Sequence, residues 1–428
     1  MLSIARAGAR LTAMVCLAFS LGARADAYSV LSHEAVVDAL WDVKLKPVLL
    51  ARFPNSTPDE LREAHAFAYG GAIIQDLGYY PHGSMEFSDL THYVRTGDFI
   101  LALIRESQNL DELAFALGAL SHYVSDLDGH RFATNVAEAI LYPELRRKYG
   151  DVITYEENPA GHLKTEFGFD VLEVARGNFA PQAYHDFIGF NVSETVLRRA
   201  VRDTYGLDLE DLFRDFHRAM ESYRHAVSQT IPKATRVAWA QREDQIQKSE
   251  PGMTREKFVY VMKRSSYERN WGKQYDRPSA GERILAVLLK LVPPIGPLKA
   301  LKFKMPTLEV EKLFMESFNR ASAQYYGTLE DASGRRLELP NKNYDVGVVT
   351  APGSYRLEDD AQAVWLDLLA KKNFCSVTPA IAAELLAYYG NPGAPLHTKR
   401  NAEKWKKLEA ELLVLKAAHR NTMVSGEP

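Results

Sequence analysis

The stretch Asp111–Asn135, DELAFALGALSHYVSDLDGHRFATN, leaves a folded chain few options. Drawn as an α-helix, it sets Leu113, Leu117, Leu120, Val124 and Leu127 in one apolar stripe that has to face a core. The opposite side is not the wet face of a surface helix. It carries Phe115, Gly118 and Ala119, and among them His122 and Asp126. A helix apolar nearly all round is a buried helix. An ionisable pair inside it must be paired, hydrogen-bonded or bound to metal, because an uncompensated buried charge is very costly. His122 and Asp126 stand four apart and point the same way. His130 follows after Gly129, where the pattern predicts a helix end.

The rest of the chain reads as helices of the same kind. Ser32 is placed to cap a helix through His33, Val36, Val37, Leu40 and Trp41. Thr57-Pro58-Asp59-Glu60 is a capping box with proline at the first helical position, and the helix it starts should run to about Asp76. Gly70 and Gly71 weaken that helix but permit close packing. YYPHGSMEFSDL reads as a loop leading to His92, Asp98–Glu106 as a short helix, and GHLKTEFGFDV as a helix with His162 and Glu166 on one face. Leu212, Phe216, Met220, Tyr223 and Val227 form an amphipathic stripe. Residues 284–305 fit a buried helical hairpin with a Pro-Pro corner better than a membrane-touching one, and residues 340–359 read as a long irregular connection. Two last helices are expected, one from Thr378-Pro379 to Gly390 and one built on Trp405, Leu408, Leu412 and Leu415. With no run of alternating strands, the expected class is all-α, a multi-helix bundle with additional C-terminal helices.

The first 27 residues differ. Arg6 and Arg10 precede the short apolar run LTAMVCLAFSLGA, and Ala23-Arg24-Ala25 and Ala25-Asp26-Ala27 are cleavage patterns. This predicts a signal peptide and an exported protein, periplasmic or secreted. Val15 before Cys16 argues against a lipid anchor. Removing residues 1–27 takes away three arginines and one aspartate, leaving 49 basic against 54 acidic side chains and a net charge of −5. That balance gives no general attraction to nucleic acid or anionic lipid. Cys375 is then the only cysteine, so no internal disulfide is expected. The expected organisation is a signal peptide over 1–27, a helical metal-binding domain over 28–180 and a helical C-terminal extension over 181–428 that can pack on it as one unit.

A single histidine beside apolar residues is ordinarily a satisfied core residue. Five of the chain's 12 histidines, however, fall in an N-terminal series with carboxylates, two of them as H-x-x-x-D/E pairs on separate helices. Imidazole nitrogen and carboxylate oxygen are zinc ligands, and cysteine is not required. The order His33, Asp76, His92, His122-x-x-x-Asp126, His130, His162-x-x-x-Glu166 resembles zinc-dependent phospholipase C, whose scaffold is shared with the single-strand-specific zinc nucleases. The resemblance covers roughly residues 28–175. It implies an all-α enzyme with up to three clustered zinc ions. By that resemblance Asp76, His92, His122 and Asp126 hold the first zinc, and His130, His162 and Glu166 the second. The Tyr28 backbone and His33 hold the third, with Asp126 bridging it to the first. The family's first mature residue is normally Trp; cleavage after Ala27 would expose Tyr28 there, at the His spacing of the nuclease branch. His130 follows Asp126 by four residues, shorter than the family's usual interval. His65, His82, Asp89 and Asp128 read as loop or surface residues, with Asp128 the substitute if His130 is misplaced.

The expected function is therefore an exported zinc-dependent phosphodiester hydrolase resembling phospholipase C, with Asp76, Asp126 and Glu166 as its catalytic carboxylates. The expected partners are a phospholipid or other phosphodiester and peripheral membrane contact, with no stable nucleic-acid binding. Two alternatives stand beside it: a single-strand nuclease, for which Tyr79, Tyr80, Phe87 and Tyr93 would stack bases, and a non-catalytic, zinc-stabilised binding or surface protein.

Overall fold

The computed structural model describes residues 30–175, 190–225, 303–333 and 337–425, with five further positions between 239 and 248. The signal peptide, Tyr28, Val227 and all but the end of the 284–305 segment lie outside the described residues. The chain is all-α. Its helices are α1 Val30–Leu40, α2 Lys46–Arg52, α3 Pro58–Gly71, α4 Met85–Tyr93, α5 Thr96–Glu106, α6 Leu110–Gly129, α7 Asn135–Leu141, α8 Pro143–Tyr149 and α9 Pro159–Ala175. They continue as α10 Glu194–Tyr205, α11 Leu209–Leu212, α12 Phe216–His225, α13 Leu308–Ser333, α14 Arg356–Lys371, α15 Pro379–Tyr388 and α16 Ala402–Ser425. Among the described residues the β-type pairing is one isolated bridge, Asn343 to Val348.

The centre of the molecule is α6, buried from Glu112 to Gly129 as its all-round apolar pattern requires. Asn109 caps it by accepting a hydrogen bond from the Glu112 amide (2.9 Å). Helix α3 crosses it at backbone contact. A Cβ on Gly71 would sit 1.9 Å from the Phe115 carbonyl oxygen, and one on Gly118 would sit 2.0 Å from that of Ala68. Helix α13 covers another side, where the buried Tyr325 hydroxyl donates to the Leu117 carbonyl (2.8 Å). One continuous apolar core runs from Val30 through α6 to Leu415.

Several local expectations change. Ser32 lies inside α1 and not at its start; its hydroxyl donates to Asp170 (2.7 Å), tying α1 to α9. The capping box at Thr57 and Glu60 is present, but α3 stops at Gly71 and a 3-10 turn, Ile74–Tyr79, carries Asp76. Much of the stretch read as a loop before His92 is α4, capped by Ser84, whose oxygen accepts from the Phe87 amide (3.1 Å). The stripe over 212–223 is broken between α11 and α12, although Leu212, Phe216, Met220 and Tyr223 are buried as expected. Helix α14 was hidden in sequence by its acidic start, RLEDD.

Residues 337–355 are irregular, yet several of their polar groups pair with the first half of the chain. The Lys342 carbonyl accepts from Thr96 (2.8 Å), the Asn341 side chain accepts from the Asp98 amide (3.0 Å), and the Pro340 carbonyl accepts from Tyr123 (2.8 Å). The Tyr344 amide donates to the His92 carbonyl (3.0 Å). Gly347, at φ +70, lets this strap turn against the Leu127 carbonyl.

Glu358 lies under the strap and accepts from Asn343 (3.2 Å) and from the Thr350 hydroxyl. Burial raises its carboxyl from 4.5 to about 7. An acid with a raised folded-state pKa binds its proton more tightly when folded. Its contribution to stability is full below pH 4.5, is lost as pH rises through 7, and is flat above that. Glu358→Gln keeps an acceptor and removes the charge. It is expected to be more stable than the parent by about 1–3 kcal/mol at pH 8, with the advantage shrinking towards pH 5. Urea melts across this range check it; an advantage independent of pH would contradict the burial argument.

Candidate metal centre

Five separate segments converge on one buried point. Helix α1 brings His33, the 3-10 turn brings Asp76, the end of α4 brings His92, α6 brings His122 and Asp126, and α9 brings His162 and Glu166. His130 begins a π-helical turn, His130–Thr134, that links α6 to α7 without a break. Gly129 therefore does not end the helical path. The wider turn redirects the chain and places His130 beside Asp126 despite the short spacing. The eight residues are all 5% exposed or less. They fall into two groups, Asp76, His92, His122 and Asp126, and His130, His162 and Glu166, with candidate ligand atoms within 4.8 Å of one another in each.

The first group has the dimensions of a coordination shell. His92 Nε2 lies 3.3 Å from Asp76 Oδ1 and 3.6 Å from Asp126 Oδ2; His122 Nε2 lies 3.4 Å from Asp76 Oδ1 and 3.1 Å from Asp126 Oδ2. Ligands about 2.0–2.1 Å from one tetrahedral ion stand about 3.3 Å apart. The imidazoles are also set in the right tautomer. His92 Nδ1 lies 2.8 Å from the Ser88 carbonyl and His122 Nδ1 lies 2.8 Å from the Ala72 carbonyl. A carbonyl only accepts, so each Nδ1 carries a proton and each Nε2 is the nitrogen turned towards the carboxylates, the atom free to coordinate once a cation replaces any proton there.

Asp126 is shared. Its Oδ2 faces His122, His92 and, at 4.0 Å, His130 Nε2, while its Oδ1 faces His33 Nε2 at 3.4 Å. The rings of His33 and His122 stack with centroids 4.2 Å apart. In the second group His162 Nε2 approaches Glu166 Oε1 at 2.6 Å, and the rings of His130 and His162 meet edge to face.

The donor set fits zinc. His92 Nε2, His122 Nε2, both oxygens of Asp126 and of Glu166, and both nitrogens of His162 are buried without a hydrogen bond of sound geometry. Burial pushes the Glu166 carboxyl well up, with the charges of Asp126 and Asp76 adding to it, and pushes the His162 imidazole well down. Asp126 is held well below the usual carboxylate range although burial acts the other way, because His122 and His130 face it. Buried acceptors turned on one another are what a cation compensates.

Residues 32–214 match the family model for zinc dependent phospholipase C. Over these residues the chain is similar to the zinc-dependent phospholipase C family. No curated protein and no solved structure matches the chain. The phospholipase C region contains every candidate ligand from His33 to Glu166, while Tyr28 precedes it and lies outside the described residues.

Other expectations are corrected. Asp128, the substitute for His130, is turned away from the centre; it accepts from Gln324 (2.8 Å) and lies 3.3 Å from Arg320. His65 is not a surface residue: it is buried, stacked on Trp41 at 3.8 Å and paired with Asp38 at 3.0 Å. Tyr79, Phe87 and Tyr93 are buried and so offer no open base-stacking platform. Two residues beyond the phospholipase C region reach the centre unannounced by the sequence. The Tyr344 ring packs against His92 (5.1 Å) and His122 (6.0 Å), and Asp345 Oδ1 lies 3.4 Å from His130 Nδ1. The available signal was the length of the irregular segment, since a long loop within a compact chain usually has a task.

Proposed function

We propose that the chain is an exported, zinc-dependent phosphodiester hydrolase acting on phospholipid or a related diester, with up to three zinc ions. The observation that carries this reading is the quartet Asp76, His92, His122 and Asp126, whose edges of 3.1–3.6 Å match a tetrahedral shell. These four would hold the first ion, His130, His162 and Glu166 would hold the second, and His33 with the Tyr28 backbone the third, with Asp126 also available to it. When bound, zinc would supply a Lewis acid and would lower the pKa of water towards neutrality.

The chain's own residues bind and orient. The Ser88 and Ala72 carbonyls lock His92 and His122. Asp76 and Glu166 act first as ligands and second as acceptors that orient the attacking water. The water oxygen bonds to phosphorus as the bond to the leaving alcohol breaks, giving a phosphomonoester and an alcohol. Export rests on the leader-like residues 1–27 and the family; no described helix is long and apolar enough to cross a membrane. Peripheral membrane contact suits a lipid substrate, and the net charge opposes stable nucleic-acid binding.

Metal analysis of the native chain is expected to return two or three zinc ions per molecule. Hydrolysis in a panel of phospholipid, small phosphodiester and single-stranded DNA is expected to favour the lipid. Fewer than two zincs would sink the catalytic reading. Faster cleavage of DNA would turn it to a nuclease, and bound zinc that only stabilises, without hydrolysis, to a binding protein.

A further inference from the structure

His130 has its second ring nitrogen against a carboxylate from the far end of the chain. His92 and His122 are locked by carbonyls of the phospholipase C region itself. His130 Nδ1 instead lies 3.4 Å from Asp345 Oδ1, on the strap beyond residue 214. Both atoms are buried, and neither has another hydrogen-bond partner among the described residues.

The carboxylate is held in place from both halves of the chain. Its other oxygen, Oδ2, accepts from the Tyr155 amide (2.9 Å) and the Tyr355 hydroxyl (2.7 Å). The Asp345 amide donates to the Asn343 side chain (3.0 Å), and the Asp345 carbonyl accepts from Asn135 (2.8 Å), on the first turn after the π-helical segment that carries His130. With Oδ2 committed, Oδ1 is left for the ring. A move of a few tenths of an ångström turns 3.4 Å into a charge-assisted hydrogen bond.

We propose that Asp345 is a positioning residue of the metal centre, accepting the Nδ1 proton of His130 so that Nε2 is the ligand atom, and that the centre is therefore completed by the C-terminal part of the chain. The chemistry is that of a carboxylate behind a metal-bound imidazole: it fixes the tautomer, holds the ring plane and raises the basicity of the coordinating nitrogen. The π-helical turn brings the ring to the cluster, and the strap sets which nitrogen points in. A C-terminal segment acting only as an outer layer would have no reason to bury an acid with one uncommitted oxygen against this histidine.

The inference rests on the metal reading proposed above, and the test separates the two. Full-length parent and Asp345→Asn are loaded with zinc and titrated with a chromophoric chelator. The parent is expected to release zinc in more than one step. In Asp345→Asn the zinc held by His130, His162 and Glu166 should be about 10–100-fold weaker, with the zinc of the Asp76, His92, His122 and Asp126 group unchanged. Equal affinities for every ion in the two proteins would overturn the role of Asp345 and leave the metal reading intact. A parent that binds no zinc would overturn both. Folding of the variant need not be assumed, because the parent alone reports the tautomer. In zinc-loaded protein labelled with nitrogen-15 at histidine, His130 is expected to carry its proton on Nδ1. A proton on Nε2 would overturn the proposal.

Discussion

Asp126→Asn is expected to abolish zinc retention and to lower phosphodiesterase activity by more than about a thousandfold. The substitution is nearly isosteric, so the loss would be chemical and not a matter of packing. Both Asp126 oxygens face imidazole nitrogens: Oδ1 faces His33 at 3.4 Å, and Oδ2 faces His122 at 3.1 Å and His92 at 3.6 Å. An asparagine offers one acceptor in place of two and no charge, and its amide protons would point at nitrogens that need to coordinate. Asp128 supplies the comparison. It lies on the same helix and is also buried, but its oxygens are engaged by Gln324 and Arg320. Asp128→Asn is expected to keep its zinc and to stay within roughly threefold of parental activity, since it loses only a partly solvated ion pair. Zinc content after dialysis and initial rates on a phosphodiester decide the matter; an Asp126→Asn protein with full activity would show that the centre lies elsewhere.

Gly118→Ala should be strongly damaging to the fold for the addition of a single methyl group. The added carbon would sit 2.0 Å from the Ala68 carbonyl oxygen, which is helix backbone and cannot swing aside as a side chain can. Helices α3 and α6 must separate, opening a seam that Gly71 closes from the other side against the Phe115 carbonyl. The expected cost is about 3 kcal/mol. The centre would feel it too. His122 follows Gly118 by one turn, and its Nδ1 bond to the Ala72 carbonyl crosses the same seam at 2.8 Å. Weaker zinc retention should therefore accompany the lower thermal midpoint. Gly327→Ala is the opposite case. Gly327 lies within α13 with nothing within 4 Å of a new Cβ, so alanine is expected to stabilise by about 0.5–1 kcal/mol through helix propensity. Thermal melts of the two variants should move in opposite directions, and equal shifts would refute the packing account.

Helix α6 was legible because burial on all sides leaves a local trace: small and apolar residues at every angle, with His122 and Asp126 set among them. The capping box at Thr57 and the proline-led start at Pro379 were legible because backbone satisfaction at a helix end is local chemistry. Helix α4 was not, since Pro81, His82 and Gly83 signal a turn while the nine residues after Ser84 are too few to show a period. Ser32 has the composition of a cap, but only the approach of α9 decides that its hydroxyl serves Asp170.

The same division runs through the candidate centre. Spacing of four on a helix sets two side chains on one face whatever surrounds them, so His122 with Asp126 and His162 with Glu166 could be paired from the sequence alone. That ordering also carried the family resemblance, and with it the prospect of zinc. What faces those pairs is decided by distant contacts that leave no local period. The Ala72 carbonyl that orients His122 and the strap that carries Tyr344 and Asp345 to the cluster meet it only once the helices have packed. The sequence by itself determined the kinds of side chain and the faces they share; the tertiary structure decided which of those faces meet, because the pairs are brought together by partners tens to hundreds of residues away.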